Sequence, residues 1–212
     1  TPVYWLNLSM NVLPLEPGSL GGGADAITTY GPDIFTVGHQ IPQKAIQWKN
    51  KERVILPADG ANTFLVSGVA ASETSVYVSG TVLVNGAFKA RLWKDGVLQP
   101  LALGGGISTA NGVFILSGNV YVVGSEVESD SRRYGKVWEN GRATDLISES
   151  NSVEGKAIVV SLGHVYVAGD KLLTDANGRK VVMVWRDGQE LKQYSNSTDD
   201  AEAYSIFVVK KK

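Results

Sequence analysis

Five tryptophans stand at nearly equal intervals along the chain. Trp5, Trp48, Trp93, Trp138 and Trp185 are separated by 43, 45, 45 and 47 residues. A fixed period of this length limits the chain to an architecture that repeats one supersecondary unit. The surroundings repeat too. Lys94-Asp95-Gly96, Glu139-Asn140-Gly141 and Arg186-Asp187-Gly188 each follow a tryptophan directly. Lys49-Asn50-Lys51 is a weaker copy and Leu6-Asn7-Leu8 a degenerate one.

A second block lies upstream of four of the tryptophans. It reads Asp33-Ile34-Phe35-Thr36-Val37-Gly38, and its other copies are Ser75 to Gly80, Asn119 to Gly124 and His164 to Gly169. A third block precedes that one, at Thr63 to Ser67, Gly112 to Ser117, Gly155 to Ser161 and Ala203 to Val208. Each unit therefore predicts four strands. An apolar run comes first, then a Val-Tyr-Val strand, then the strand ending in Trp, then a short fourth strand. Asp-Gly or Asn-Gly between the last two is a strong hairpin signal, because both central residues of a type I′ turn need positive φ. Helical periodicity is not evident.

Four short strands at a period near 45 match a propeller blade. The first strands, such as Ala157-Ile158-Val159-Val160, are nearly continuous apolar runs, as expected where a sheet is covered on both faces. The chain begins on a third strand, Pro2 to Trp5, and ends on a first strand, Glu202 to Val208. Half a blade at each end predicts a ring closed by pairing the termini, which removes exposed sheet edges. The sequence thus predicts one all-β domain over residues 1–212: a five-bladed β-propeller of four-stranded antiparallel blades. The fifth blade lacks a Val-Tyr-Val strand. It is either three-stranded or completed by chain beyond Lys212.

The pattern VYV-x-G, an Ala-rich strand, then W-K-[DN]-G resembles repeats in secreted or surface-attached bacterial proteins of unknown function. Val76 to Gly80 with Trp93 to Gly96, Val120 to Gly124 with Trp138 to Gly141, and Val165 to Gly169 with Trp185 to Gly188 carry the resemblance. It implies a propeller-like repeat and a location outside the cell or in the periplasm, and it says almost nothing about activity.

Composition narrows the partners. The formal net charge is −1, and the only basic cluster is Lys210 to Lys212, so no basic stripe suits nucleic acid. No apolar run approaches the roughly 18 residues of a membrane span. Cysteine is absent, which excludes disulfides and thiolate metal sites. No cofactor is expected.

Candidate site residues follow from the blade geometry. Loops between blades and loops between second and third strands share one face, at the mouth of the channel. One acidic or amide residue sits at the start of each first strand: Asp25, Asn62, Asn111, Glu154 and Glu202. They could form a polar ring that holds a ligand, or simply cap the backbone where it enters the strand. The tryptophans could stack on sugars, but a residue repeated beside a demanding turn is expected to pack between blades. His39 and His164 should lie at opposite ends of their blades, too far apart for a shared site. Asp175-Ala176-Asn177-Gly178 echoes a calcium loop without its later bidentate Glu. No nucleophile, base and orienting acid stand in a triad pattern. Near-uniform repetition favours a non-enzymatic module that binds a glycan or a protein. A glycoside hydrolase or lyase using Asp25, Glu154 or Glu202 and a structural or adhesive domain are the alternatives.

Overall fold

The computed structural model describes residues 1–57, 63–148, 152–173, 178–195 and 199–209. Among these residues every regular element is a strand. The strands form five antiparallel sheets, one of two strands and four of four, each following chain order. Sheet 1 holds β1 (Val3–Leu6) and β2 (Ser9–Val12). Sheet 2 holds β3 (Gly21–Tyr30), β4 (Asp33–Ile41), β5 (Lys44–Lys49) and β6 (Glu52–Ile55). Sheet 3 holds β7 (Thr63–Ala71), β8 (Val76–Val84), β9 (Ala87–Lys94) and β10 (Val97–Gln99). Sheet 4 holds β11 (Ser108–Leu116), β12 (Asn119–Val127), β13 (Arg133–Glu139) and β14 (Arg142–Asp145). Sheet 5 holds β15 (Ser152–Ser161), β16 (His164–Leu172), β17 (Lys180–Arg186) and β18 (Gln189–Tyr194). The chain divides into two compact units, Thr1–Pro100 with sheets 1 to 3 and Leu101–Lys212 with sheets 4 and 5. In the first unit, Phe35, Val37, Val78 and Trp93 belong to one core shared by sheets 2 and 3. In the second, Val123, Leu146, Val167 and Trp185 do the same for sheets 4 and 5.

The third-to-fourth strand turns behave as their residues dictate. Asp95-Gly96, Asn140-Gly141 and Asp187-Gly188 all have positive φ, as a type I′ turn requires. The acid or amide also reaches across its sheet. Asn50, Asp95, Asn140 and Asp187 accept the backbone N–H of Ile34, Val76, Val120 and Val165 at 3.0, 2.8, 3.0 and 2.9 Å. That bond ties each turn to the head of the second strand.

The tryptophans are architectural in four repeats. Trp48, Trp93, Trp138 and Trp185 are at most 1% exposed. Their indole N–H groups donate to the carbonyls of Pro14, Pro57, Ala102 and Ile147 at 2.8, 3.2, 2.8 and 2.9 Å. Those carbonyls belong to the linkers that lead into each sheet, and a leucine stands immediately before each one. Burying an indole is favourable only when its N–H finds such an acceptor. Trp5 differs: it is 65% exposed, because β1 and β2 pair only with each other.

The expected strand over Glu202 to Val208 is not formed, since residues 199–209 belong to no strand. A strand needs a ladder partner for its N–H and C=O groups. Here the Ala201 N–H bonds the Lys180 carbonyl and the Ala203 N–H bonds Asp170 Oδ1. Tyr204 and Phe207 are left largely exposed.

One irregularity recurs in all four large sheets. The register of the first strand slips between Ala24 and Ala26, Val66 and Gly68, Ala110 and Gly112, and Gly155 and Ala157. Each slip is a bulge that leaves one residue without a partner: Asp25, Ser67, Asn111 and Lys156. Beside it on the second strand stands the last residue of the VYV-x-G block. A Cβ on Gly38, Gly80, Gly124 or Gly169 would lie 2.0, 2.6, 1.9 or 2.1 Å from the carbonyl oxygen of Gly23, Leu65, Thr109 or Glu154. The motif glycine is therefore the price of the bulge. Bulges re-aim the side chains they carry, and this one sets up the site.

Candidate functional site

In the second unit, the bulges of β11 and β15 bring polar side chains together around Glu154. Asn111 reaches from its bulge to the neighbouring sheet, where its Nδ2 donates to Glu154 Oε1 at 2.9 Å and to the Gly155 carbonyl at 2.8 Å. The Thr109 hydroxyl lies 3.4 Å from the same carboxylate oxygen. Arg133 Nη1 donates to Glu154 Oε2 at 3.0 Å, and Lys156 Nζ lies 3.2 Å from it. Both carboxylate oxygens are thus engaged. Lys156, the bulge residue of β15, also faces Asp170 Oδ2 at 3.7 Å. Asp170 sits directly opposite Glu154 in the ladder.

Burial works to raise the Glu154 pKa, but the Asn111 hydrogen bond and the Lys156 and Arg133 charges outweigh it. The group is held below its ordinary value of 4.5. It is ionised at neutral pH and fixed in orientation. Beside it opens a cleft of about 290 Å³ lined by Arg133, Glu154, Lys156, Asp170, Leu172 and Lys180, among others. Lys180 extends the network to the C-terminal segment, with its Nζ 2.5 Å from Glu202 Oε1. Glu202 also accepts the Tyr204 hydroxyl at 3.0 Å. The Lys180 bond first, then Tyr204, hold the Glu202 carboxyl below its ordinary value.

The five ring candidates do not share one repeat position. Asp25 and Asn111 are equivalent bulge residues, whereas Glu154 stands two places before the bulge residue Lys156. Asn62 lies outside the described residues; the counterpart of Asn111 in sheet 3 is Ser67. Three of the five, Asn111, Glu154 and Glu202, join one network in the second unit. Asp25 sits in the first unit, bonded to His39 Nδ1 at 3.0 Å. It borders a cavity of about 230 Å³ that Tyr4 and Trp5 also line. His164 bonds Asp187 Oδ2 at 2.6 Å, at a turn. Asp175 to Asn177 fall outside the described residues. Among the described residues, no group of three or more His, Cys, Asp or Glu side chains could hold a metal ion.

Sequence reasoning did not single out Arg133, Lys156, Asp170 or Lys180. A signal for Asp170, and for its partner Glu154, was present. Where Glu154 stands, the other repeats carry Gly23, Leu65 and Thr109. Where Asp170 stands, they carry His39, Thr81 and Ser125. A cross-strand pair of acids is a departure peculiar to sheet 5. It becomes visible only once the repeats are phased on the bulge.

No protein-family model and no curated protein matches the chain. Solved structures do. A subtype N10 neuraminidase-like protein of A/little yellow-shouldered bat is similar at 11% identity and a TM-score of 0.53, over 83% of this chain and 58% of that one. A subtype N11 neuraminidase-like protein of A/flat-faced bat is similar at 9% identity and a TM-score of 0.53, over 79% of this chain and 51% of that one. This chain spans little more than half the length of these proteins. The likeness shows that the fold is of the β-propeller kind.

Proposed function

We propose that this chain is a non-enzymatic binding module that takes a glycan at the Glu154 cleft. The observation that carries this reading is the double engagement of the Glu154 carboxylate. Asn111, Lys156 and Arg133 hold it ionised and in place, with the Thr109 hydroxyl beside them, next to a cleft that also presents Asp170 and Lys180. Sugar hydroxyls donate and accept hydrogen bonds at once, and a pre-oriented array of carboxylates and cations offers both. A glycoside hydrolase needs one carboxyl protonated as general acid. Glu154, held below its ordinary value, does not fit the acid's part; the engagement of both its oxygens by neighbouring side chains is what supports binding. The neuraminidase-like fold and the proximity of Glu154 to Asp170 keep hydrolysis as the second reading.

Five sheets support a five-bladed ring, and the ring is part of this proposal. Its fifth blade would combine β1, β2 and the segment Ala203 to Val208. The free edge of β1, the exposed Trp5 and the unpaired apolar residues Tyr204, Ile206 and Phe207 all support that pairing.

A glycan array probed with the wild-type protein and with Glu154→Gln tests the function. Binding by the wild type, weakened about tenfold in the variant, is expected, with no reducing sugar released from the bound glycan. A blank array, or release of sugar that Glu154→Gln abolishes, would sink the binding reading.

A further inference from the structure

The second unit contains a larger cavity, of about 720 Å³, whose lining includes the linker Ala102 to Gly104, Gly106, Glu126, Glu128 and Lys136. A cation stands opposite the motif glycine here, as it does in sheet 3 but not in sheets 2 and 5. Lys136 lies opposite Gly124 in the ladder. The residues opposite Gly38 and Gly169 are Ile46 and Met183, both buried core residues, and opposite Gly80 stands Arg91. Lys136 is only 7% exposed, and it is fully committed to Asp145 and Glu128 at 2.6 and 3.0 Å.

Glu126 stands two residues after the motif glycine and is 3% exposed. Its counterparts are Gln40, Val82 and Lys171. In sheet 5, the Lys171 ammonium is paired with Glu190 at 2.6 Å. In sheet 2, Gln40 bonds the linker carboxylate Glu16 at 2.6 Å, and Lys44 neutralises that carboxylate at 2.8 Å. Sheet 4 exchanges these roles. The linker position of Glu16 is taken by Gly104, and the acid has moved to the strand as Glu126. The cation did not move with it. Lys44 lies opposite Gln40, and the residue opposite Glu126 is Tyr134.

Glu126 accepts the Gly104 N–H at 2.6 Å. It forms no ion pair among the described residues. A buried carboxylate without a counter-charge is costly. Here it borders a cavity large enough for a small ligand, widened where the linker carries glycine in place of a side chain. We propose that this cavity binds a ligand through a protonated amine, which supplies Glu126 with the cation that sheets 2 and 5 provide internally. The proposal is independent of the glycan reading.

Titration of the ¹⁵N-labelled protein with spermidine, followed by amide NMR, tests it. Uncharged 1,8-octanediol, of similar length, is the control. Spermidine should shift the Gly104 and Gly106 amides, and Glu126→Gln should weaken the apparent affinity by about tenfold or more. Gln40 shows that the fold accepts an amide at this position, and Glu126→Asp, which keeps the charge, should fall between the two. Glu154→Gln should leave spermidine binding unchanged. Equal shifts with octanediol, an unchanged affinity in Glu126→Gln, or no shift at Gly104 and Gly106 would each overturn the proposal.

Discussion

Gly124→Ala should be among the most damaging single-methyl additions this chain can receive. The new Cβ would lie 1.9 Å from the Thr109 carbonyl oxygen, 2.8 Å from its carbon and 3.0 Å from the Ala110 Cα. All three are backbone atoms, so no side-chain rotation relieves the clash. Ordinary contact requires β11 and β12 to separate by more than about 1 Å, which carries the flanking ladder bonds beyond hydrogen-bonding distance. Two lost backbone bonds at about 1 kcal/mol each, with about 1–2 kcal/mol of overpacking strain, give a cost of about 3–4 kcal/mol. That is a large share of the 5–15 kcal/mol typical of a domain. Gly135→Ala is the matched control on β13. Its Cβ would meet Leu146 Cδ1 at 2.8 Å, the end of a side chain that can turn away, so about 1–2 kcal/mol is expected. Urea unfolding of both variants measures the difference. A Gly124→Ala protein as stable as Gly135→Ala, or within about 0.5 kcal/mol of wild type, would refute the claim that the bulge demands this glycine. The same substitution should also weaken ligand binding at the Glu154 cleft, because the bulge positions Asn111.

Trp138→Phe should lose about 1–3 kcal/mol in urea unfolding, since it removes the bond to the Ala102 carbonyl and leaves a void where the buried indole packed. Leu8 is 95% exposed with φ of +66°, where three other repeats carry glycine; Leu8→Gly should stabilise by about 1 kcal/mol, and an unchanged or lower Tm would count against the strain. The depressed Glu154 pKa contributes stability that is present above its ordinary value of 4.5 and is lost as pH falls through the lowered folded value. Glu154→Gln should therefore show a shallower fall in Tm below about pH 4.5, and parallel pH profiles would contradict the ionised network. If the ring closes as proposed, Trp5→Phe should leave iodide quenching of tryptophan fluorescence unchanged; loss of the quenchable component would show an open fifth blade.

The repeat itself was legible from residues alone. Tryptophan spacing, Asp-Gly and Asn-Gly turns and the Val-Tyr-Val blocks are short-range signals, and the strands they predict are present in the sheets. The motif glycine was visible as a pattern, but its cause was not. It answers a carbonyl displaced by a bulge on another strand. The phase of the repeats is hidden for the same reason: residue type pairs Asn62 with Asn111, whereas the bulge pairs Ser67 with it.

The four-stranded unit, the turns and the four buried tryptophans were determined by the sequence, because turn preference and alternation act within a few residues. The tertiary structure alone decided that Asn111 meets Glu154 from 43 residues away. It also decided that Lys156 leaves the ladder and that Glu126 is buried without a cation. Those outcomes depend on register slips and on which face packs against which sheet. A one-residue change in register reverses the direction of a side chain, and nothing local in the sequence records it.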